Sequence, residues 1–125
     1  MATTQPRGPR EIYGAFIWSM KGLRAAWVHE ASFRLEVYLL VVLFPIGLWL
    51  GNDAIERVLL CGCMLPVLAM ELINSAVETV VDKVSPEFHV LAGRAKDLGS
   101  AAVFALLTNV VLCWILVLWP RLHFS

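Results

Sequence analysis

The longest uncharged run in the sequence limits most strongly what this chain can fold into. It covers residues 98–119, twenty-two positions without an Asp, Glu, Lys or Arg. A helix of about 20 apolar residues spans the ~30 Å hydrocarbon core of a bilayer. The composition agrees, because 59% of the 125 residues are hydrophobic, 16% are charged and the mean hydropathy is +0.74. We therefore predict an integral membrane protein with a single domain over residues 1–125.

A second apolar stretch predicts another membrane helix over residues 31–50. Arg34 lies in its first turns, where the guanidinium can snorkel to the interface or pair with Glu30 one turn back. Upstream, residues 9–30 repeat apolar side chains at spacings of three and four, with basic residues on the opposite side. This pattern predicts an amphipathic helix that lies on the membrane surface.

The remaining predicted span, residues 54–82, has a clear start and an expected kink. Asp53, followed three residues later by Glu56, has the pattern of a capping box. Pro66 leaves the carbonyl of Gly62 without its helical donor, so we expect the helix to bend there. The sequence therefore predicts an all-α fold, in which three membrane helices follow one surface helix.

Two prolines suggest where the last helix begins and ends. Pro86 follows Ser85, a favourable cap residue, so we expect a helix to start near Glu87. Pro120 and Arg121 are expected to end it. The first part of this helix is polar and leads into the uncharged span.

The distribution of basic residues predicts the orientation in the membrane. Eight lie before the first span or between the second and third spans, whereas two belong to the other side. Because Lys and Arg concentrate in cytoplasmic segments, we expect the N-terminus to be cytoplasmic. The eight are Arg7, Arg10, Lys21, Arg24, Arg34, Lys83, Arg94 and Lys96, and the two are Arg57 and Arg121.

The second predicted span carries a polar stripe along one edge. Its members lie at offsets 0, 3, 7 and 11, each within roughly 60° of the first at about 100° per residue; they are Glu71, Asn74, Glu78 and Asp82. Ionisable side chains inside a membrane are costly, so the stripe predicts a functional site. The alternative is a polar seam that joins helices by hydrogen bonds, but three carboxylates would repel one another. A hard cation such as Mg²⁺ would relieve that repulsion.

The available side chains favour phosphoryl transfer. The sequence contains neither G-x-x-x-x-G-K-[ST] nor G-x-G-x-x-G, so a P-loop and a Rossmann crevice are excluded. Carboxylates can hold a metal, and Lys96 beside Asp97 can meet phosphate oxygens, unless that pair is an ordinary solvated pair at a helix terminus. Glu71 lies deepest, roughly 10 Å inside the predicted hydrocarbon core, which makes it the candidate general base for a lipid hydroxyl.

These residues resemble the prokaryotic diacylglycerol kinases, which are small integral membrane enzymes. Residues 71–82 (ELINSAVETVVD) match the family pattern E-x-[LIVM]-N-[ST]-[SA]-[LIV]-E-x-x-V-D at every position. Residues 21–27 (KGLRAAW), 30–34 (EASFR) and 93–102 (GRAKDLGSAA) are also similar, and the resemblance covers about residues 18–119. It implies transfer of the ATP γ-phosphate to sn-1,2-diacylglycerol with Mg²⁺ as cofactor. It also implies a homotrimeric helical bundle with shared active sites in the bacterial inner membrane, and no nucleic-acid partner.

The same resemblance assigns roles by position. Glu71 matches the family's catalytic base, and Glu30 and Glu78 match its Mg²⁺ ligands. The expected ATP contacts are Arg10, Trp18, Glu30, Glu78, Glu87, Phe88, His89, Lys96 and Asp97. The expected contacts with the lipid substrate are Arg24, Ala31, Ser32, Arg34, Trp49, Arg57, Glu71, Asn74 and Ser100.

The sequence leaves two other functions open. Undecaprenol kinases share the fold, but they tend to carry Glu-Asn-Phe-Arg-x-His where residues 30–35 are EASFRL, which favours diacylglycerol. A small proton-coupled transporter or channel subunit built around Glu71 is the non-enzymatic alternative. Such a protein needs a carboxylate in the membrane, but it needs neither acids spaced for Mg²⁺ nor a cytoplasmic Lys-Asp pair.

Overall fold

The structure, a computed structural model, describes residues 8–124, and this part of the chain is helical throughout apart from short connections. Its helices in chain order are α1 (Pro9–His29), α2 (Ala31–Leu50), α3 (Ala54–Gly62), α4 (Leu65–Val84) and α5 (Val90–Phe124). No strand occurs between residues 8 and 124, which confirms the predicted all-α class. Arg7, one of the basic residues that predict the orientation, lies outside the described residues.

Three helical stretches are long and apolar enough to cross a membrane, as predicted. They are Ala31–Leu50, Ala54–Val84 and Val90–Leu122, and the second of them combines α3 and α4. The most extensive packing joins α4 to α5. Many large apolar side chains are nevertheless exposed on the surface of the single chain. Among the described side chains of α5, only Val103 is buried. This surface suits a lipid environment or contact with further protein.

The junction between α1 and α2 is a single non-helical residue, Glu30. Its backbone is extended, with φ −115° and ψ 106°, and its N–H donates to the carbonyl of Ala26 at 2.8 Å. One guanidinium nitrogen of Arg34 donates to the carbonyls of Trp27 at 2.7 Å and Val28 at 3.2 Å. Arg34 therefore binds the negative end of α1, whose last carbonyls lack intrahelical donors, and the pairing with Glu30, one of the two predicted alternatives, is not the contact that it makes.

The start of α3 confirms half of the predicted capping box. The backbone N–H of Glu56 donates to the Asp53 carboxylate at 2.8 Å. The Glu56 carboxylate accepts from the N–H of Asn52 at 2.7 Å, one residue before the position that a capping box requires. The cap is thus made by Asp53, and Glu56 instead fixes the turn that precedes it.

The predicted kink near Pro66 is confirmed as a break between α3 and α4. The helix is interrupted at Cys63 and Met64, and Pro66 lies in the first turn of α4. A proline is tolerated there because the first N–H groups of a helix have no intrahelical acceptor. The break therefore lies on the N-terminal side of the proline, as the lost bond to an earlier carbonyl requires.

The start of α5 differs from the prediction. The helix begins at Val90, and Pro86 is not its first residue. The imidazole of His89 accepts a hydrogen bond from the N–H of Leu91 at 3.1 Å, so His89 caps the helix. Ser85, the predicted cap, instead donates its hydroxyl to the carbonyl of Glu87 at 3.0 Å within the connection.

The end of α5 also differs from the prediction, because the helix continues through Pro120 to Phe124. The guanidinium of Arg121 donates to the carbonyl of Leu50 and to the carboxylate of Glu56. These bonds fasten the end of α5 to the connection between α2 and α3. The tertiary anchor supports the last turn, which the proline weakens by removing one backbone bond.

Candidate active site

A cleft of about 380 Å³ gathers four glutamates and one asparagine. Six predicted site residues meet there although they come from three separate parts of the sequence. The lining residues are Glu30, Ser32, Glu36, Glu71, Asn74, Glu78, Ser100, Val103, Phe104 and Leu107. The cleft therefore combines an acidic wall from α2 and α4 with an apolar wall from α5.

The wall formed by α4 carries the predicted stripe. Glu71 and Asn74 are buried, with 6% and 7% of their surface exposed, and Glu78 follows one turn later at the partly exposed end. The helical period therefore places these three side chains as the sequence predicted. Asp82 does not line the cleft, because its carboxylate forms an ion pair with Lys96 at 2.5 Å.

Glu36 was not assigned a role from the sequence, yet it faces Glu71 across the cleft. The two carboxyl groups interact directly, and one oxygen of Glu36, Oε2, is buried without a hydrogen-bond partner. Two carboxylates in contact repel each other unless a proton or a cation lies between them. Glu36 could have been found from the sequence, because it is an ionisable residue inside a predicted membrane span, as Glu71 is.

Gly99 is a second residue that sequence reasoning did not assign. A Cβ atom placed on Gly99 would collide with Oδ1 of Asn74. The missing side chain thus allows α5 to approach α4 at the amide that lines the cleft. That amide oxygen is buried without a hydrogen-bond partner, so it remains available as a ligand.

The comparisons with known proteins show to which family the chain belongs. The model of the family described as prokaryotic diacylglycerol kinase matches residues 17–118. The chain is 48% identical over 118 residues to the diacylglycerol kinase of Escherichia coli K12, covering 94% of this chain and 95% of that protein. It is 43% identical over 111 residues to the diacylglycerol kinase of Pseudomonas aeruginosa, covering 89% and 90%. The chain belongs to the prokaryotic diacylglycerol kinase family. The resemblance seen in the sequence is thereby confirmed.

The cleft of this diacylglycerol kinase family member contains oxygen atoms of the kind that a magnesium ion would need. Glu30 and Glu78 both line it, and the buried oxygens of Glu36 and Asn74 are further hard donors. Among the side chains of residues 8–122, no three His, Cys, Asp or Glu residues form a group that could hold a metal on their own. Mg²⁺ usually takes one or two carboxylates together with substrate phosphates, so the two predicted ligands fit it.

The residues predicted to contact ATP lie outside the cleft in the single chain, except for Glu30 and Glu78. They are spread over α1, the connection before α5 and the first turns of α5, and all of them are exposed except Lys96, which is half-buried. Phe88 is 92% exposed and Trp18 is 69% exposed. Their positions are Arg10 and Trp18 on α1, Glu87, Phe88 and His89 in the connection, and Lys96 and Asp97 on α5.

The residues predicted to contact lipid fall into two groups. Ser32 and Ser100 line the cleft with the acidic residues, while Ala31 is exposed at the start of α2 and Arg24 is exposed on α1. The second group lies near the other end of α2. Trp49 is 82% exposed there, and Nε of Arg57 donates to the carbonyl of Leu48 at 3.1 Å; the two predicted lipid contacts of this group are Trp49 and Arg57.

Proposed function

We propose that this chain is a lipid kinase that transfers the γ-phosphate of ATP to the free hydroxyl of sn-1,2-diacylglycerol, giving phosphatidic acid and ADP. The observation that carries the proposal is a buried glutamate, Glu71, in a cleft of a chain that is 48% identical to a diacylglycerol kinase over 94% of its length. The apolar wall of the cleft supports a lipid acceptor, and its acidic wall supports phosphoryl transfer.

Glu71 is the general base in this proposal. It removes the proton from the lipid hydroxyl while the hydroxyl oxygen forms a bond to the γ-phosphorus and the bond from that phosphorus to the β-phosphate oxygen breaks. Its burial beside apolar side chains of α5 fits a base that meets a lipid rather than water. Asn74 and Ser100 orient the reacting groups from either side of the cleft.

Glu36 positions this base. Its carboxyl group meets that of Glu71 from α2, while Glu71 is carried by α4. A contact between two helices limits the rotamers of both side chains, which keeps the accepting oxygen in place. Glu36 therefore acts through Glu71 in this proposal.

Glu30 and Glu78 hold Mg²⁺ in the same proposal, since both carboxylates line the cleft. When bound, the ion neutralises charge on the ATP phosphates. Lys96 is suited to the phosphates because it lies one turn outside the cleft on α5, where its ammonium group pairs with Asp82 and also interacts electrostatically with Glu78. The other nucleotide contacts are Arg10, Trp18, Glu87, Phe88, His89 and Asp97.

A homotrimer with sites shared between subunits completes the proposal. One chain leaves most apolar side chains of α5 exposed, and it leaves seven of the nine proposed nucleotide contacts outside the cleft. A neighbouring copy would cover the apolar surface and bring such contacts to the cleft. The excess of basic residues around α1 and the α4–α5 connection supports a cytoplasmic site in the bacterial inner membrane.

The test offers two lipids side by side to the purified full chain in phosphatidylcholine vesicles with ATP and Mg²⁺. Phosphatidic acid is expected from diacylglycerol faster than undecaprenyl phosphate is formed from undecaprenol, and chelation of Mg²⁺ is expected to stop both reactions. Phosphorylation of undecaprenol alone would overturn the lipid assignment. A proton leak across the vesicles without ATP turnover on either lipid would favour a transporter instead.

A further inference from the structure

The break between α3 and α4 leaves one backbone carbonyl without its helical donor. In a regular helix the carbonyl of Leu60 would accept from the N–H of Met64. Here that N–H bonds the carbonyl of Cys61 at 3.4 Å, one residue closer in sequence. Leu60 is fully buried, and an unsatisfied carbonyl inside a membrane protein is strongly unfavourable. Another donor is therefore required at this point.

Trp114 supplies that donor from α5. Its indole N–H donates to the Leu60 carbonyl at 3.0 Å, across 54 residues of sequence. The thiol of Cys63 lies 3.5 Å from the same oxygen and is a weaker donor. The indole of Trp114 thus links the helix break to α5, and because the ring is rigid it holds the donor N–H at a fixed distance from the backbone of α5.

Pro66 alone does not account for this arrangement. A proline at position 66 removes the donor of the Gly62 carbonyl, which is a different carbonyl. The bond from Trp114 stabilises the bent form more than a continuous helix, because in a continuous helix the N–H of Met64 would already satisfy the Leu60 carbonyl. Pro66 and Trp114 therefore act on neighbouring bonds of the same break.

We propose that Trp114 is a positioning residue for phosphoryl transfer, whose indole N–H sets the direction in which α4 carries Glu71 and Asn74 into the cleft. The inference rests on the proposed function. α4 begins at Leu65, directly after the break, so the angle at the break determines where its first two turns point. A change of angle there moves Glu71 and Asn74 relative to the apolar wall of α5, and it also moves Glu78, which lies further along α4.

A double-mutant cycle tests this role. Trp114→Phe keeps the ring and removes the donor, and we expect kcat to fall about fivefold, the factor that corresponds to one hydrogen bond. Pro66→Leu restores an N–H at position 66 and allows a continuous helix. In that background Trp114→Phe is expected to change kcat by less than about twofold. Equal effects in both backgrounds, or no effect in the parent, would overturn the proposal.

A second measurement does not depend on activity. In the ¹⁵N-labelled full chain, the indole N–H of Trp114 is expected to exchange slowly with solvent deuterium in the parent and about fivefold faster in the Pro66→Leu variant. Slow exchange in both proteins would overturn the proposed competition for the Leu60 carbonyl. This measurement distinguishes failure of the proposed function from failure of the proposal for Trp114. If the parent is inactive as a kinase but shows the expected difference in exchange, the bent helix is supported and the proposed function is not.

Discussion

Replacing Gly99 by alanine is a direct perturbation of the cleft, because the added methyl group occupies the place of the Asn74 amide oxygen. Asn74 is only 7% exposed and cannot turn away into solvent. Forcing a methyl group into a packed site costs about 1–3 kcal/mol. Moving a positioning group by about 1 Å reduces turnover by roughly a hundredfold. We therefore expect Gly99→Ala to lower both the melting temperature and kcat, measured on the purified protein in the same lipid.

Gly93→Ala is the matched control on the same helix. A Cβ atom at Gly93 meets nothing within 4 Å, so alanine should stabilise the helix by up to about 1 kcal/mol and leave kcat unchanged. A second comparison removes the amide that the methyl group would meet. In an Asn74→Ala background, adding Gly99→Ala should not lower the melting temperature further. If Gly99→Ala keeps parental kcat and melting temperature, α4 and α5 do not approach each other as described.

Two further predictions concern the metal and the orientation. Glu30→Gln and Glu78→Gln each remove a charged oxygen ligand, so half-maximal activity should require more Mg²⁺, with partial recovery at high Mg²⁺; unchanged metal titrations in both variants would place the ion elsewhere. A cysteine introduced at Ser125, which lies outside the described residues, should react with an impermeant thiol reagent added to intact cells, whereas one at Ser85 should not. The reverse pattern would contradict a cytoplasmic N-terminus and site.

The parts of the fold that depend on local patterns were predictable from the sequence. Apolar length predicted the three membrane helices, and the missing N–H of Pro66 predicted the break. The helical period placed Glu71, Asn74 and Glu78 on one wall of a cleft, and it placed them correctly because α4 is regular over these residues.

The features that depend on contacts between distant segments were not predictable. The contact of Glu36 with Glu71 depends on how α2 packs against α4, and no spacing in the sequence encodes that packing. Asp82 belongs to the predicted stripe by period, but Lys96 on α5 binds its carboxylate outside the cleft. The continuation of α5 through Pro120 also depends on a distant contact. The bond from Arg121 to the Leu50 carbonyl outweighs the local preference of proline to end a helix.

The most direct measurement of the central claim is the turnover of Glu71→Gln with ATP, Mg²⁺ and diacylglycerol. Glutamine keeps the shape of the side chain and removes the proton acceptor, and a neutral amide is less costly in a membrane than a carboxylate, so the fold should persist. A general base contributes about 10²–10⁴-fold, so kcat should fall at least about a hundredfold while ATP affinity changes little. Turnover within about tenfold of the parent in well-folded protein would contradict the role of Glu71 as the base.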